Sequence, residues 1–305
     1  GTARLWDLDE ELRFAELKTA AFHPATGRVA GVSGDALAVW DGHSLRRSAT
    51  LDTGGLEAHA LAFDQSGGRL AAALRGRPAA DASGAEASAD RMVAVWEVGG
   101  GARLLEFPAG GEVDRLEFSG SDGGLLVMRL GSRAVVRPLG SSEAVWEMEG
   151  VVDLACRTDG TMLAVCALDK TPSQSPESQR LLLVDTADWS VRAEHAVKTA
   201  FTAGLAFSPS GKWLALGEQV RTEDGWNCGA HLWDTARADA PPLWLGGHNA
   251  LVGCVAFQPG EAMMATAGKD GAALLWTLPG GESAGRLAGH AGDIHDIAFS
   301  PDGSR

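Results

Sequence analysis

The stretch "VGCVAFQPGEAMMATAGKDGAALLWTL" at 252–278 decides the architecture. It consists of three short apolar runs divided by two turn signals. The first run ends at Pro259-Gly260, the second at Asp270-Gly271, and the third closes on Trp276. Pro sets the dihedral of the first turn, while an Asp-Gly pair tolerates the left-handed backbone of a tight hairpin. Apolar runs of this length without a 3.6-residue period are strands joined as antiparallel hairpins.

The pattern recurs through the whole chain. Better copies stand at 18–41, 58–97 and 203–234, and weaker ones at 113–139 and 151–185. The anchors are Phe22, Phe63, Phe118, Cys156, Phe207, Phe257 and Phe299, spaced 38 to 55 residues apart. A unit of about 40 residues carrying four strands cannot bury both faces alone and must stack on its neighbours, which is the signature of a β-propeller blade.

The fold expected is therefore all-β, a seven-bladed β-propeller of four-stranded antiparallel blades, forming one domain over 1–305. Blades one to six are complete. The seventh is shared by 1–16 and 289–305, because "AFSPDGSR" resembles the start of a blade and "GTARLWDL" the end of one. Joined, the two ends place Phe299 and Trp6 only 12 residues apart, against 19 between Phe257 and Trp276. The shortfall is about one strand, so the ends read as those of a fragment cut from a longer gene, with an array that continues outward into further blades as the alternative.

The residues also resemble the WD-repeat family. Its Trp-Asp pair stands at Trp6-Asp7, Trp40-Asp41 and Trp233-Asp234, with Gly-His at Gly247-His248 and Gly289-His290. The resemblance implies that His248, Thr266, Asp270 and Trp276 form a hydrogen-bonded structural tetrad within one blade. Asp90 and Asn227 repeat the six-residue step to the following Trp, whereas Asp35 is one residue short. The middle repeats carry Arg137 and Val184 in place of the Trp.

Composition excludes several functions. The net charge is −14, and no Lys/Arg cluster exists to neutralise phosphates, so no nucleic-acid partner is expected. No apolar run approaches the roughly 18 residues of a membrane helix, so no membrane partner is expected either. Cys156, Cys166, Cys228 and Cys254 form no CxxC pair and read as buried free thiols, with a Cys156–Cys166 bridge as the alternative. No nucleophile elbow, phosphate loop or zinc-helix motif is present, so no catalytic residue, cofactor or metal is expected. His290 and His295 are the one close histidine pair, read as tetrad or surface groups.

Three connections between second and third strands are long: 75–91, 169–180 and 217–228. Such loops are commonly functional. In WD-repeat rings these connections lie on the top face. The first two are rich in Ala, Ser, Gly and Pro; the third carries Arg221, Glu223, Asp224 and Trp226. Trp226 is either packed on its own blade or free as an interface anchor. With the acidic balance, the four residues suit a peptide bearing a basic residue. The function implied is a non-enzymatic, cytoplasmic scaffold that binds a protein or peptide partner. The alternative is a docking module of a larger signalling enzyme whose catalytic domain lies outside these residues.

Overall fold

The computed structural model describes the chain except for residues 1–3, 7–10, 14–18, 24, 34, 43, 45, 77–90, 121–122, 142, 169–178, 198–200, 224, 238–239, 301 and 305. The described residues contain β-strands and turns and no helix. A two-stranded sheet of β1 (Arg4–Trp6) and β2 (Glu11–Arg13) opens the chain. Six four-stranded antiparallel sheets follow, each an up-and-down meander in chain order.

The first sheet comprises β3 (Ala20–His23), β4 (Arg28–Ser33), β5 (Ala36–Asp41) and β6 (Arg47–Leu51). The second comprises β7 (Glu57–Phe63), β8 (Arg69–Arg75), β9 (Arg91–Glu97) and β10 (Arg103–Pro108). The third comprises β11 (Val113–Ser119), β12 (Leu125–Leu130), β13 (Arg133–Pro138) and β14 (Trp146–Glu149). In the fourth are β15 (Val151–Cys156), β16 (Met162–Leu168), β17 (Gln179–Asp185) and β18 (Val191–Val197). The fifth holds β19 (Phe201–Phe207), β20 (Trp213–Thr222), β21 (Gly225–Asp234) and β22 (Leu243–His248). The sixth holds β23 (Val252–Phe257), β24 (Met263–Gly268), β25 (Ala272–Thr277) and β26 (Ser283–Ala288).

The chain forms two compact units, residues 1–147 with 304–305, and residues 148–303. Each unit is built by sheets that bury both faces, which explains why the middle strands read as continuous apolar runs instead of alternating ones. In "LAAAL", Leu70, Ala72 and Leu74 pack with Leu37, Val39 and Trp96, while Ala71 and Ala73 pack with Leu126 and Met128. In the second unit Leu214 and Leu216 join Leu181 and Leu183, and Ala215 between them joins Phe257 and Met264. Alanine on one face lets the neighbouring sheet approach, and leucine on the other fills the remaining width.

Two expectations differ from what is observed. Among the described residues, 289–305 contain no strand. Phe299 is nevertheless buried against Ala265 and Leu275, and Ile294 and Ile297 pack near Cys254, Ala267 and Ala273. Apolar burial holds this segment against the sixth sheet, but the strand that would complete its ladder is absent from the described residues. The second difference is the 217–228 connection. It is a regular ribbon, paired from Trp213↔Asp234 to Thr222↔Gly225, and only its tip turns.

Candidate interaction site

The β20–β21 ribbon arises because both strands run ten residues, well past the four to seven of most others. Thr222 Oγ1 donates to the Gly225 carbonyl at 3.1 Å and closes the turn. Gly225 has φ 128°, a backbone that side-chain-bearing residues rarely adopt. The last β22 partner of β21 is Cys228, opposite His248, so Gly225, Trp226 and Asn227 extend beyond the sheet with no strand on that side among the described residues.

Arg221 and Trp226 are direct cross-strand partners and share a face. The Arg221 guanidinium lies 5.7 Å from the centre of the Trp226 ring, within cation–π range. Trp226 is 50% exposed, so about half of its surface is covered and half is open to solvent. Glu223 stands exposed in the turn, and Asp224 lies outside the described residues. The other two long connections, 77–90 and 169–178, also lie outside them; their stems close at Arg75↔Arg91 and Leu168↔Gln179.

A polar cluster anchors the ribbon's base. Glu218 is 1% exposed and its carboxylate meets His231 Nδ1 at 2.7 Å. The His231 ring in turn packs against Trp244 at 4.8 Å and Trp233 at 5.5 Å. Deeper in the second unit, Gln179 Oε1 accepts from the Thr202 hydroxyl at 2.5 Å and the Cys166 thiol at 3.1 Å. Burial pushes the Cys166 thiol up to about 12, which keeps the proton it donates. Asp153 accepts the Leu205 N–H at 2.9 Å, joining the fourth and fifth sheets through a buried carboxylate. Nothing in the repeat pattern pointed to these groups. All four cysteines are free thiols, so the Cys156–Cys166 bridge is not formed.

The four tetrad residues meet as follows. His248 Nδ1 lies 3.1 Å from both Asp270 oxygens, and its Nε2 lies 2.9 Å from Thr266 Oγ1. Trp276 Nε1 donates to the same Oγ1 at 2.9 Å. One arrangement satisfies every group: Trp276 donates to Thr266, Thr266 to His248 Nε2, and His248 Nδ1–H to Asp270. Burial opposes the Asp270 charge, but the Asn249 N–H, His248 and the Ala272 N–H outweigh it and hold the carboxyl below its usual range. The network is not confined to one blade. His248 ends β22 of the fifth sheet, while the other three residues belong to the sixth.

The equivalent positions elsewhere are incomplete. Ala72 occupies the register position in the second sheet that Thr266 occupies in the sixth, and buried Trp96 Nε1 has no hydrogen-bond partner. Asn227 sits inside β21 opposite Val220, not in a turn as Asp270 does. Asp90 lies outside the described residues. The β4–β5 hairpin pairs Ser33 directly with Ala36, a tighter turn than that around Asp270, as the short Asp35–Trp40 step implies. Among the described residues no group of three His, Cys, Asp or Glu is placed to hold a metal ion.

Successive four-stranded meanders of this kind define a β-propeller protein. The chain matches the Cps50 (Swd1) β-propeller domain of Myceliophteria thermophila with TM-score 0.71, 14% identity, and coverage of 95% of this chain and 92% of that one. It matches Kuenenia stuttgartiensis hydrazine synthase with TM-score 0.71 and 13% identity over 93% of this chain and 89% of that one. At these identities the likeness is one of fold. The family model "WD domain, G-beta repeat" matches residues 242–277 and 281–305. An uncharacterized WD repeat-containing protein of Synechocystis is 28% identical over 148 residues, 48% of this chain and 37% of that protein. The guanine nucleotide-binding protein subunit beta of Schizosaccharomyces pombe is 26% identical over 179 residues, 57% of this chain and 52% of that protein. A rice small ribosomal subunit protein, RACK1y, is 44% identical over 57 residues, 19% of this chain and 17% of that protein. The chain thus has a β-propeller fold and carries matches to the WD40 repeat at residues 242–277 and 281–305. Its matches span about a third to a half of the two longer alignments' relatives.

Proposed function

We propose that these residues act as a non-enzymatic protein-binding scaffold whose contact site is the β20–β21 ribbon, with Arg221, Glu223 and Trp226 towards its tip. The observation that carries this reading is the half-exposed Trp226 on a ribbon that extends past its sheet. Trp and Arg are the residues that most often dominate binding energy at protein interfaces. The names of two relatives, a guanine nucleotide-binding protein subunit and a ribosomal subunit protein, support membership of a larger assembly. The test compares Trp226→Ala with Val191→Ala, which alters a 51% exposed side chain on another sheet. Both variants should keep the circular dichroism and melting curve of the parent. Affinity capture from source-cell extract should lose partners with Trp226→Ala only. An identical captured set for both variants would remove the assignment.

A further inference from the structure

The ribbon tip has three properties that together select a ligand. Its Trp226 ring is half exposed, the Arg221 guanidinium lies over that ring at 5.7 Å from its centre, and the outer backbone edge of Gly225–Asn227 has no strand beside it among the described residues. A basic side chain, suggested by the acidic composition, does not suit this arrangement. The place of a cation beside the indole is already taken by the chain's own Arg221, which would repel a second cation from the ring. By contrast, Arg221 has a free fork. Most other arginines near a carboxylate are engaged: Arg69 by Asp64, Arg103 by Glu106, Arg115 by Glu117, Arg129 by Asp114, Arg133 by Glu147 and Arg192 by Asp185 and Asp188. No ion pair engages Arg221 among the described residues.

The contact with the ring also prepares the guanidinium to bind. A side chain held over an aromatic ring has less rotamer freedom left to lose, and its planar fork accepts a carboxylate through two parallel hydrogen bonds. The bare edge of β21 adds main-chain donors and acceptors to which an extended segment can pair, so the backbone sets the register and the side chains set the choice.

Resting on the assignment of this ribbon as the contact site, we infer that its ligand is an extended, acidic peptide segment. It adds along the β21 edge at Gly225–Asn227, places an apolar side chain on the free part of Trp226 and gives a carboxylate to Arg221. Glu223, exposed at the turn, disfavours a carboxylate in the next position and confines the acidic residue to the Arg221 side.

The probe is a fluorescein-labelled ten-residue synthetic peptide of alternating Val and Thr around a central Phe-Glu pair. Its two twins carry Lys or Gln in place of Glu. Fluorescence polarisation against the full 305-residue chain at low salt reads the affinities. The Glu peptide should bind about tenfold more tightly than the Lys twin, with the Gln twin between them. Trp226→Ala should weaken the Glu peptide by about tenfold. Arg221→Glu should reverse the order of the Glu and Lys peptides, which loss of folding cannot do. Tighter binding of the Lys twin by the parent chain, or an order unchanged in Arg221→Glu, overturns the acidic assignment. So does the absence of measurable binding by any of the three peptides. In each of those cases the capture comparison of Trp226→Ala and Val191→Ala still decides separately whether the ribbon is a contact site.

Discussion

A single hydroxyl, that of Thr266, stands between His248 and Trp276 and is hydrogen-bonded to both. Replacing it with the near-isosteric valine removes both bonds and strands an indole N–H and an imidazole nitrogen in a buried place. Thr266→Val should therefore destabilise the chain by about 1–3 kcal/mol, read as a lower midpoint in urea or thermal unfolding. The comparison with the second sheet sharpens the point. Trp96 is fully buried and its N–H is already unpaired because Ala72 lacks a hydroxyl. Trp96→Phe discards an unsatisfied donor, whereas Trp276→Phe discards a satisfied one, so the first should cost less stability than the second in the same melt. An equal loss in the two variants would show that volume, not hydrogen bonding, governs both sites.

At the scale of elements, what matters is how closely one sheet lets the next approach. Gly217 in β20 shows the limit: a Cβ there would stand 2.5 Å from the Val252 carbonyl oxygen and 2.6 Å from that of Ala203. Those oxygens belong to the backbone and cannot rotate aside. Gly217→Ala should cost more than about 2 kcal/mol, visible as a clear drop in melting temperature. The first strands of five sheets also carry an irregularity near their starts, with register shifts in β7, β11, β15, β19 and β23. In β19 the shift falls between Ala203 and Ala206 and frees the Leu205 N–H, which the buried Asp153 accepts. Such bulges re-aim backbone groups out of the ladder, and here they direct one toward the neighbouring sheet.

For the whole molecule, acid stability follows from groups spread over both units. Burial opposes the charge of Asp64, but the Arg69 N–H and guanidinium and the Ser66 hydroxyl prevail and hold its carboxyl low; Asp270 is held low in the second unit. A depressed carboxyl binds its proton more weakly when folded than when unfolded. Its stabilisation is complete above the ordinary value of 3.8 and drains away as pH falls through the folded value. His23 is lowered chiefly by burial, with Nε2 facing the Gln65 carbonyl at 3.1 Å. Its contribution is complete above the ordinary value of 6.5 and declines as pH falls below it. Stability measured against pH should accordingly fall in two stages, gently below about pH 6 and steeply below about pH 4. His23→Gln should abolish the gentle stage and leave the steep one.

The repeat of short apolar runs and turn pairs determined the strand order and the meander of every sheet, since each run pairs with the next through a turn encoded between them. The turn at Asp270-Gly271 brings Thr266 and Trp276 onto one hairpin, but the grouping of His248 and Asp270 with them was implied only by the resemblance to WD repeats. The sequence marked Trp226 as informative but left its exposure open. That exposure, and the extension of the 217–228 connection into a ribbon, depend on where the neighbouring strands stop, which no local pattern records. The same holds for Glu218 with His231, for Asp153 with Leu205, and for the passage of the tetrad from β22 into the sixth sheet. These contacts join residues on different strands or sheets, and only packing decides which polar groups are buried together and must therefore satisfy one another.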